Sequence, residues 1–403
     1  MILQAVLINL RNVTKRKQIS TTAKVSFLWL YFLSPFGCPE GFLFSDYKDW
    51  ANTFLICNLD AMTIILDDSL SREQLYPFTA TRHVADIRIG ILTIREKWAL
   101  IAAGDNSIKE DEKIVTVPAN IIPTKDNALT ICNAFATGNS LIIEDDIKSI
   151  HYPWDIFQLN DWAIRKDVEL ITTGRRSQPL SATNKTILPE NIFIEEGAVV
   201  EHCIINASAG PVYIGKNSQV MEGCIIRAPF ALCEGAILKM GTKIYGATTI
   251  GPYCVAAGEI KNSVMFANSN KGHDGYLGDS VIGEWCNLGG GTTSSNIKNT
   301  AGPVKVWNNK SNAFITMGLK CGLLMGDYSR AAINTSFNTG TVVGVCCNIF
   351  GEGFPCKLVT DFTWGKDRYT FDKALQDIDN WKKLKGSNIL EEEKKILKEL
   401  YNQ

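Results

Sequence analysis

The sequence predicts an α/β domain followed by a parallel β-helix of the hexapeptide type and a short helical segment at the carboxyl end. Strand-like and helix-like apolar patterns alternate between residues 62 and 182, which is typical of a small α/β domain. Aliphatic residues then recur at every sixth position, the period of a coil with three flat sides. The final stretch, 366–403, carries charged residues at helical spacing. A chain of 403 residues is long enough for two or three such domains.

Residues 1–61 fit none of these parts. Lys15, Arg16 and Lys17 precede an apolar run at 25–37 that mimics a signal peptide but is too short to span a membrane. Met62 opens the run MTIILDD, which reads as a start followed at once by a buried strand. We therefore expect residues 1–61 to be a non-native, disordered extension and Met62 to be the native initiator.

The composition argues for a small-molecule partner. Lysine and arginine (41) nearly balance aspartate and glutamate (42), so no basic field recommends nucleic acid. The twelve cysteines are scattered singly except for Cys346 and Cys347, and no C-x-x-C pair is present for zinc or redox chemistry. We expect a reduced, cytoplasmic protein that binds neither nucleic acid nor membrane.

The α/β domain is predicted over 62–182. The apolar spacing of Val84, Ile87, Ile91, Ile94 and Trp98 predicts a helix. The other predicted elements are strands at TIIL (63–66), KIVTV (113–117) and SLIIE (140–144) and a helix at WDIFQLNDWAIRKDVELI (154–171). A polar segment around 172–186 then predicts a domain boundary.

The β-helix is predicted over 183–365 because one aliphatic residue recurs in phase on every side of the coil. The first run consists of Ile214, Val220, Ile226, Leu232, Leu238, Ile244 and Ile250. A second run consists of Met325, Ala331, Phe337, Val343 and Ile349, and we expect Val200–Ile205 to open the coil. Two interruptions of the register, at 266–275 and 289–314, predict loops that leave the coil at its corners, where function concentrates.

The stretch 269–291, SNKGHDGYLGDSVIGEWCNLGGG, contains His273, one of only four histidines. With an ordinary pKa near 6.5, histidine can accept a proton from an attacking amine near neutral pH. The three glycines at 289–291 let a ligand approach the backbone, where exposed amides could bind an oxyanion. Taken alone, a histidine in a glycine-bearing loop is more often a surface residue than a base.

The segment KGHDGYLGDSVIGEWCNLGGGTTSSN, with Lys261 before it and a lysine after it, resembles the acetyltransferase half of the bifunctional UDP-N-acetylglucosamine pyrophosphorylase/glucosamine-1-phosphate N-acetyltransferase family, the GlmU type. The resemblance implies a left-handed β-helix, a homotrimer formed through it, and acetyl-CoA as the co-substrate. It also implies acetylation of an amino-sugar 1-phosphate between subunits, in UDP-N-acetylglucosamine biosynthesis.

Carried over by position, the resemblance makes His273 the general base and needs no metal at this site. Lys261 falls on a sugar-phosphate ligand. The other implied substrate-binding residues are Tyr276, Asn287, Asn296 and a later lysine, for which we prefer Lys305 over Lys298. A γ-type carbonic anhydrase, another hexapeptide solenoid, needs three histidines on zinc, and the solenoid offers only His202 and His273.

The amino-terminal half has no G-x-G-T-R loop to hold nucleotide phosphates. The stretch 64–98 nonetheless resembles a bacterial subgroup of GlmU-like proteins described as sugar nucleotidyltransferases. Arg82, Asp86 and Arg88, with Thr81, are the candidates for nucleotide contact; the alternative is that both arginines are solvated charges on a helix face. Two further carboxylates could hold Mg²⁺ or cap a loop: Asp67 and Asp68.

Three functions remain open from the sequence. The first is an acetyl-CoA-dependent N-acetyltransferase with an appended nucleotidyltransferase-like domain. The second is a sugar-1-phosphate nucleotidyltransferase whose solenoid acts on another sugar. The third is a non-catalytic, trimeric scaffold that binds sugar nucleotides. Coenzyme A leaves no compact motif in such folds, so the acyl donor rests on the resemblance alone.

Overall fold

The computed structural model describes residues 58–59, 62–102, 113–138 and 146–403. It confirms the predicted fold class: an α/β region, a parallel β-helix and two terminal helices. The expected extension at 1–61, apart from a strand at Asn58–Leu59, and the predicted strand at 140–144 lie outside the described residues. The boundaries of the domains stay a prediction.

The α/β region holds a small sheet in which Met62–Asp67 pairs in parallel with Lys113–Pro118. Its helices are α1 (Ile94–Ala102), α2 (Ala128–Thr137), α3 (Asp155–Gln158) and α4 (Asn160–Thr172). A short hairpin joins Ile121–Ile122 to Lys148–Ser149. The strands at 63–66 and 113–117 and the helical stretch at 154–171 are therefore confirmed, the latter broken between α3 and α4.

The helix predicted over 84–98 is wrong in its first half. Val84–Asp86 forms one 3-10 turn, and the chain then turns at Gly90, which has φ +73°. The buried Asp167 carboxylate holds this turn by accepting the N–H groups of Ile91 (2.7 Å) and Leu92 (3.0 Å). Helix α1 begins only after Thr93, whose hydroxyl accepts the Glu96 N–H while the Glu96 carboxylate accepts the Thr93 N–H, a reciprocal cap. All five apolar residues are buried. Their spacing therefore indicates which side chains face the core, and it does not indicate a helix over the whole segment.

The β-helix has three faces in the described chain. Face 1 contains Ile192–Ile194, Val212–Ile214, Phe230–Leu232, Thr248–Ile250, Val264–Met265, Val281–Ile282, Leu323–Met325, Thr341–Val343 and Leu358–Val359. Face 2 contains Val199–Val200, Gln219–Val220, Ile237–Leu238, Val255–Ala256, Asn270–Lys271, Asn287–Leu288, Arg330–Ala331, Asn348–Ile349, Thr363–Trp364 and Asp367–Arg368. Face 3 contains Lys185–Ile187, Ile204–Asn206, Ile225–Arg227, Lys243–Tyr245, Glu259–Lys261 and Tyr276–Gly278, beside which Thr293–Ser294 pairs with Ser336–Phe337.

The six-residue period is confirmed by the strand register. Ile214 stacks on Leu232 and Leu232 on Ile250, while Val220 stacks on Leu238 and Ile226 on Ile244. All members of both runs are buried, because each column of aliphatic side chains fills the interior of the prism. The coil opens earlier than Val200–Ile205, with the strand Lys185–Ile187.

The two interruptions behave differently. The first, 266–275, is not an outward loop: Asn270–Lys271 continues face 2 in register with Val255–Ala256. The second is an insertion, folded as an antiparallel hairpin of Val304–Asn308 and Ala313–Gly318. Its buried Val304 and Val306 join the core of the α/β region instead of entering solvent.

The α/β region packs on the outside of face 1, and the two cores are continuous. Asn160 fastens α4 to this face, because its amide donates to Ala247 O (2.7 Å) and accepts the Gly90 N–H (2.8 Å). Helices α5 (Phe371–Leu384) and α6 (Glu391–Tyr401) cover corner residues of the late coils, including Tyr328 and Phe362. Within the described part of the chain, none of the helices is both long and apolar enough to cross a bilayer.

Candidate active site

His273 lies at the corner between face 2 and face 3, after Asn270–Lys271 and before Tyr276–Gly278. Its side chain is exposed and its ring rests against Gly290, where a Cβ would come 3.6 Å from the His273 Cγ. Among the described residues no group hydrogen-bonds to the imidazole. The ring is therefore open to solvent and free to take a proton from an incoming ligand.

Lys271 supports this corner from inside the prism. It occupies the inward column of face 2 that Ala256 continues, and it is only 2% exposed. Its ammonium donates to the His273 carbonyl oxygen (2.9 Å) and the Ala257 carbonyl oxygen (3.3 Å). The sequence analysis missed this residue, although it falls six positions after Met265 and six before Leu277, both in the core.

Burial lowers the pKa of Lys271 to about 8 from its ordinary 10.5, with Asp274 opposing the shift. The unfolded chain therefore binds more protons than the folded one between about pH 8 and 10.5. Stability should rise with pH across this window, by up to about 3 kcal/mol from this group. We expect the free energy of unfolding to rise more steeply from pH 7.5 to 10.5 in the wild type than in Lys271→Met.

Chemical denaturation at several pH values measures this difference. The exposed Lys243 of face 3 provides the matched control, because Lys243→Met removes a lysine that stays in water. Its curve should run parallel to that of the wild type. If the Lys271→Met curve did so too, the ammonium would not be buried at this corner.

On the face 3 side of the corner, Tyr276 and Asn296 are joined. The Asn296 amide donates to the Tyr276 hydroxyl oxygen (3.1 Å) and to the buried Asp279 carboxylate, which also accepts from the Asn262 amide (2.6 Å). Burial raises the pKa of Tyr276 to about 12, so the hydroxyl keeps its proton and can donate it to a ligand. Asp279 and Asn262 were not predicted, because only contacts between successive coils reveal them.

The Tyr276 ring lies along its own strand over Gly278. A Cβ at residue 278 would come within 2.2 Å of the Tyr276 hydroxyl, so the pose depends on this glycine. Lys261 is exposed on the adjacent strand, in register with Gly278. The structure therefore brings three predicted ligands to one face beside the His273 corner: Lys261, Tyr276 and Asn296.

The other predicted ligands lie elsewhere. Asn287 belongs to face 2, in register with Asn270 and Arg330, so the corner separates it from Tyr276. Lys305 is exposed on the inserted hairpin, where its carbonyl oxygen accepts from Lys357 Nζ (2.7 Å). Lys298 donates to the Pro303 carbonyl oxygen. Both lysines therefore stay candidates for the anion of a substrate.

Two of the three glycine amides at 289–291 are already used by the coil. Gly289 N–H donates to Ala331 O (2.9 Å) and Gly291 N–H to Asp274 O (3.1 Å). The Gly290 N–H has no backbone acceptor among the described residues, and a Cβ at this residue would come 3.6 Å from the His273 Cγ. The expectation of several free amides is corrected to this single donor.

In the amino-terminal half, the two candidate arginines are largely buried, with 11% of the Arg82 side chain and 10% of the Arg88 side chain exposed. Arg82 pairs with Glu284 (2.8 Å) and with Asp327, both on the solenoid. Arg88 donates to Ile91 O and lies 3.5 Å from the Glu96 carboxylate. The interpretation as solvated helix-face charges is therefore wrong. These contacts are structural, and a role in nucleotide contact stays a prediction.

Asp86 also has an internal partner, since its carboxylate accepts from the Arg95 guanidinium (3.0 Å). Asp67 accepts both the N–H and the hydroxyl of Ser69 (3.0 Å each), so it caps its loop. Asp68, only 3% exposed, accepts from Arg72 Nη1 (2.9 Å) and from the Val84 N–H (3.1 Å). The contacts of Asp67 are those of the loop-capping alternative, and a role of either carboxylate toward Mg²⁺ stays a prediction.

Comparison with known proteins supports the resemblance. A family model described as sugar nucleotidyl transferase matches residues 63–111 and 108–176. The chain is 28% identical over 358 residues to "Bifunctional protein GlmU" of Methanocaldococcus jannaschii, covering 81% of this chain and 78% of that protein.

Two further relatives match over shorter lengths. "Bifunctional protein GlmU" of Methanococcus maripaludis is 29% identical over 195 residues, which is 48% of this chain and 41% of that protein. "Bifunctional sugar-1-phosphate nucleotidylyltransferase/acetyltransferase" of Sulfurisphaera tokodaii is 30% identical over 198 residues, 49% of this chain and 43% of that protein. The chain thus spans about two fifths of the length of these two relatives.

Proposed function

We propose, on the premise that this chain belongs to the GlmU-like family, that it transfers an acetyl group from acetyl-CoA to the nitrogen of an amino-sugar 1-phosphate. Glucosamine 1-phosphate is the first substrate to test, which would place the protein in cytoplasmic UDP-N-acetylglucosamine biosynthesis. The observation that carries the proposal is the imidazole of His273, which is exposed and has no hydrogen-bond partner among the described residues, at a corner that Lys271 supports from within.

In the proposed reaction, the lone pair of the neutral amine attacks the thioester carbonyl carbon while His273 takes a proton from the same nitrogen. The thioester oxygen becomes negatively charged, and the proposed donor to it is the Gly290 N–H, which has no backbone acceptor among the described residues. The C–S bond then breaks, and the leaving thiolate takes the proton that His273 accepted, so that coenzyme A leaves as a thiol and the imidazole is restored. The products are the N-acetylated sugar phosphate and free coenzyme A.

The sugar phosphate is proposed to lie on face 3 beside the corner. The Tyr276 hydroxyl keeps a proton to donate, because its oxygen already accepts from Asn296. The exposed ammonium of Lys261 supplies a compact positive charge for the phosphate. Asn287 on face 2, together with Lys305 or Lys298, would contact the substrate from a neighbouring subunit of a trimer, as the family implies.

A trimer formed through the β-helix is part of the proposal. Large apolar side chains are exposed on the first coils, where the α/β region does not cover them, and a subunit interface would bury them. These are Ile187, Val199, Ile204, Ile225 and Met240.

The direct test is release of free thiol from acetyl-CoA by the full chain with glucosamine 1-phosphate. We expect turnover that depends on the sugar phosphate, since the amine is the attacking group. The absence of thiol release above the uncatalysed rate would reject the acetyltransferase proposal. Glucosamine 6-phosphate serves as the control for the position of the phosphate.

The second candidate is sugar-1-phosphate nucleotidyl transfer, which the family model over 63–176 favours. Release of pyrophosphate from UTP and N-acetylglucosamine 1-phosphate tests it. Against it stand the buried ion pairs of Arg82 and Arg88 and the internal hydrogen bonds of Asp68. Binding of a sugar nucleotide without either turnover would favour the non-catalytic scaffold.

A further inference from the structure

Arg330 lies on the outer side of face 2, since its neighbour Ala331 belongs to the solenoid core. Its side chain is buried, with 6% of the residue exposed. The guanidinium carbon lies 5.4 Å from the ring centroid of Trp381, on helix α5. Arg330 therefore lies between a face of the solenoid and a terminal helix.

Two donors of this guanidinium have no acceptor in the part of the chain that the structure describes. Nε and Nη2 are both buried and without a hydrogen-bond partner, and these two N–H groups point from the same edge of the guanidinium. That edge is the fork that binds two oxygens of a carboxylate or phosphate at once. Within the described residues, Arg330 has no carboxylate within salt-bridge distance. Asp377 is occupied by the Tyr369 hydroxyl and by Lys373 (3.4 Å).

Comparison with Arg82 shows that Arg330 lacks a carboxylate partner among the described residues. Arg82 is also largely buried, but Glu284 and Asp327 neutralise it. A buried cation without a hydrogen-bonded counter-ion destabilises a fold, because the contact with the Trp381 ring replaces only part of its lost hydration. Burial lowers the pKa of the Arg330 guanidinium accordingly. A partner from outside the chain would remove this cost.

The surroundings suit a small polar ligand. Arg330 is in register with Asn287 on one side and Asn348 on the other, and both are partly exposed. The buried Oδ1 of Asn270, two strands away on the same face, is a further acceptor without a partner. A ligand that carries an oxyanion and a hydroxyl group could accept from the Arg330 guanidinium with the oxyanion and donate to Asn270 Oδ1 with the hydroxyl group.

We propose that Arg330 is the anchor of an oxyanion-binding site between face 2 and helix α5. The ligand group is a phosphate or a carboxylate of a small molecule, which accepts from Nε and Nη2 side by side. The Trp381 ring lies against the guanidinium, and the partly exposed Asn287 is the neighbour of Arg330 on the adjacent strand. The site does not depend on the function proposed for His273.

Thermal unfolding of the full chain tests the site. The midpoint is measured in rising concentrations of sodium phosphate, of sodium acetate, and of sodium chloride at matched ionic strength. We expect the wild-type midpoint to rise with phosphate or with acetate beyond the rise in chloride. The anion that acts identifies the source, and a response to neither overturns the proposal.

The variant Arg330→Met keeps the length of the side chain and removes the charge. We expect it to unfold at a higher temperature than the wild type in chloride and to lose the response to the anion. The matched control is Arg227→Met, because Arg227 is exposed on face 3, and it should respond like the wild type. An equal response from Arg330→Met would show that the anion binds elsewhere.

If Arg330→Met does not fold, Arg330→Lys decides the matter. Lysine keeps the charge but not the paired donors, so the anion should be bound at least tenfold more weakly, as measured by titration calorimetry with phosphate or acetate. An unchanged affinity would mean that the fork is not used. A water molecule as the sole partner of Arg330 would leave every midpoint insensitive to the anion, which also overturns the proposal.

Discussion

His273→Asn is expected to lower the rate of acetyl transfer by a factor of about 10²–10⁴, the usual contribution of a positioned general base. Asparagine has about the size of histidine and can hydrogen-bond to a substrate, but it does not take up a proton near neutral pH. The amine would then have to lose its proton to water during the attack on the thioester. Because the ring is exposed and unpaired in the described chain, the fold should be unaffected.

Thiol release at saturating acetyl-CoA and varied glucosamine 1-phosphate measures this effect. We expect kcat to fall with little change in KM, since His273 acts on the reacting nitrogen and not on the phosphate. His202→Asn is the control, because His202 is an exposed histidine of the solenoid at another corner, with φ +55°, which asparagine tolerates. A His273→Asn variant that kept more than a tenth of the wild-type kcat would exclude histidine as the base.

The solenoid could be predicted in detail because its local and global patterns coincide. Each turn places one aliphatic side chain inside the prism, so the period of the sequence is the period of the structure. Ile214, Leu232 and Ile250 stack because nothing else in the chain competes for that position. The sequence pattern did not reveal the coil at Asn270–Lys271, because the inward residue there is a lysine instead of an aliphatic residue. Its ammonium donates to two carbonyl oxygens inside the coil.

The α/β region was less predictable because tertiary contacts decide its local structure. The apolar spacing from Val84 to Trp98 matches the period of a helix. The Asp167 carboxylate, which is far away in the sequence, stabilises a turn at Gly90 instead. Arg82 and Arg88 read as surface charges because their partners, among them Glu284 on the solenoid, come from other elements. Charge pairs of this kind have no signature in sequence spacing.

The faces of the coil decide which of the predicted site residues come together. Tyr276 and Asn296 are twenty positions apart, close to one turn of the coil, and they meet. Asn287 is closer than Asn296 to Tyr276 in the sequence, but it lies on face 2 and not on face 3. Positions one full turn apart share a face, whereas positions separated by less than a turn need not, so sequence distance alone does not show which of these residues meet.

Arg82→Met is expected to lower the free energy of unfolding by about 3–5 kcal/mol, the cost of removing one partner from a buried ion pair. Asp327 is 3% exposed on its side chain and would keep its charge without the guanidinium, with the Thr81 hydroxyl and the Glu284 N–H (2.7 Å) as remaining donors. The pair joins the α/β region to the solenoid, so its loss should also weaken the packing of Phe266, 5.1 Å from the Arg82 guanidinium.

Chemical denaturation of the full chain measures the loss, with Arg165→Met as the control. Arg165 forms an ion pair with Asp161 in which both side chains are more than two fifths exposed, so its removal should cost less than about 1 kcal/mol. The double variant Arg82→Met with Asp327→Asn should recover part of the loss, because the stranded carboxylate is then gone. A loss below about 1 kcal/mol for Arg82→Met would mean that water reaches Asp327, and that this ion pair contributes little to holding the two regions together.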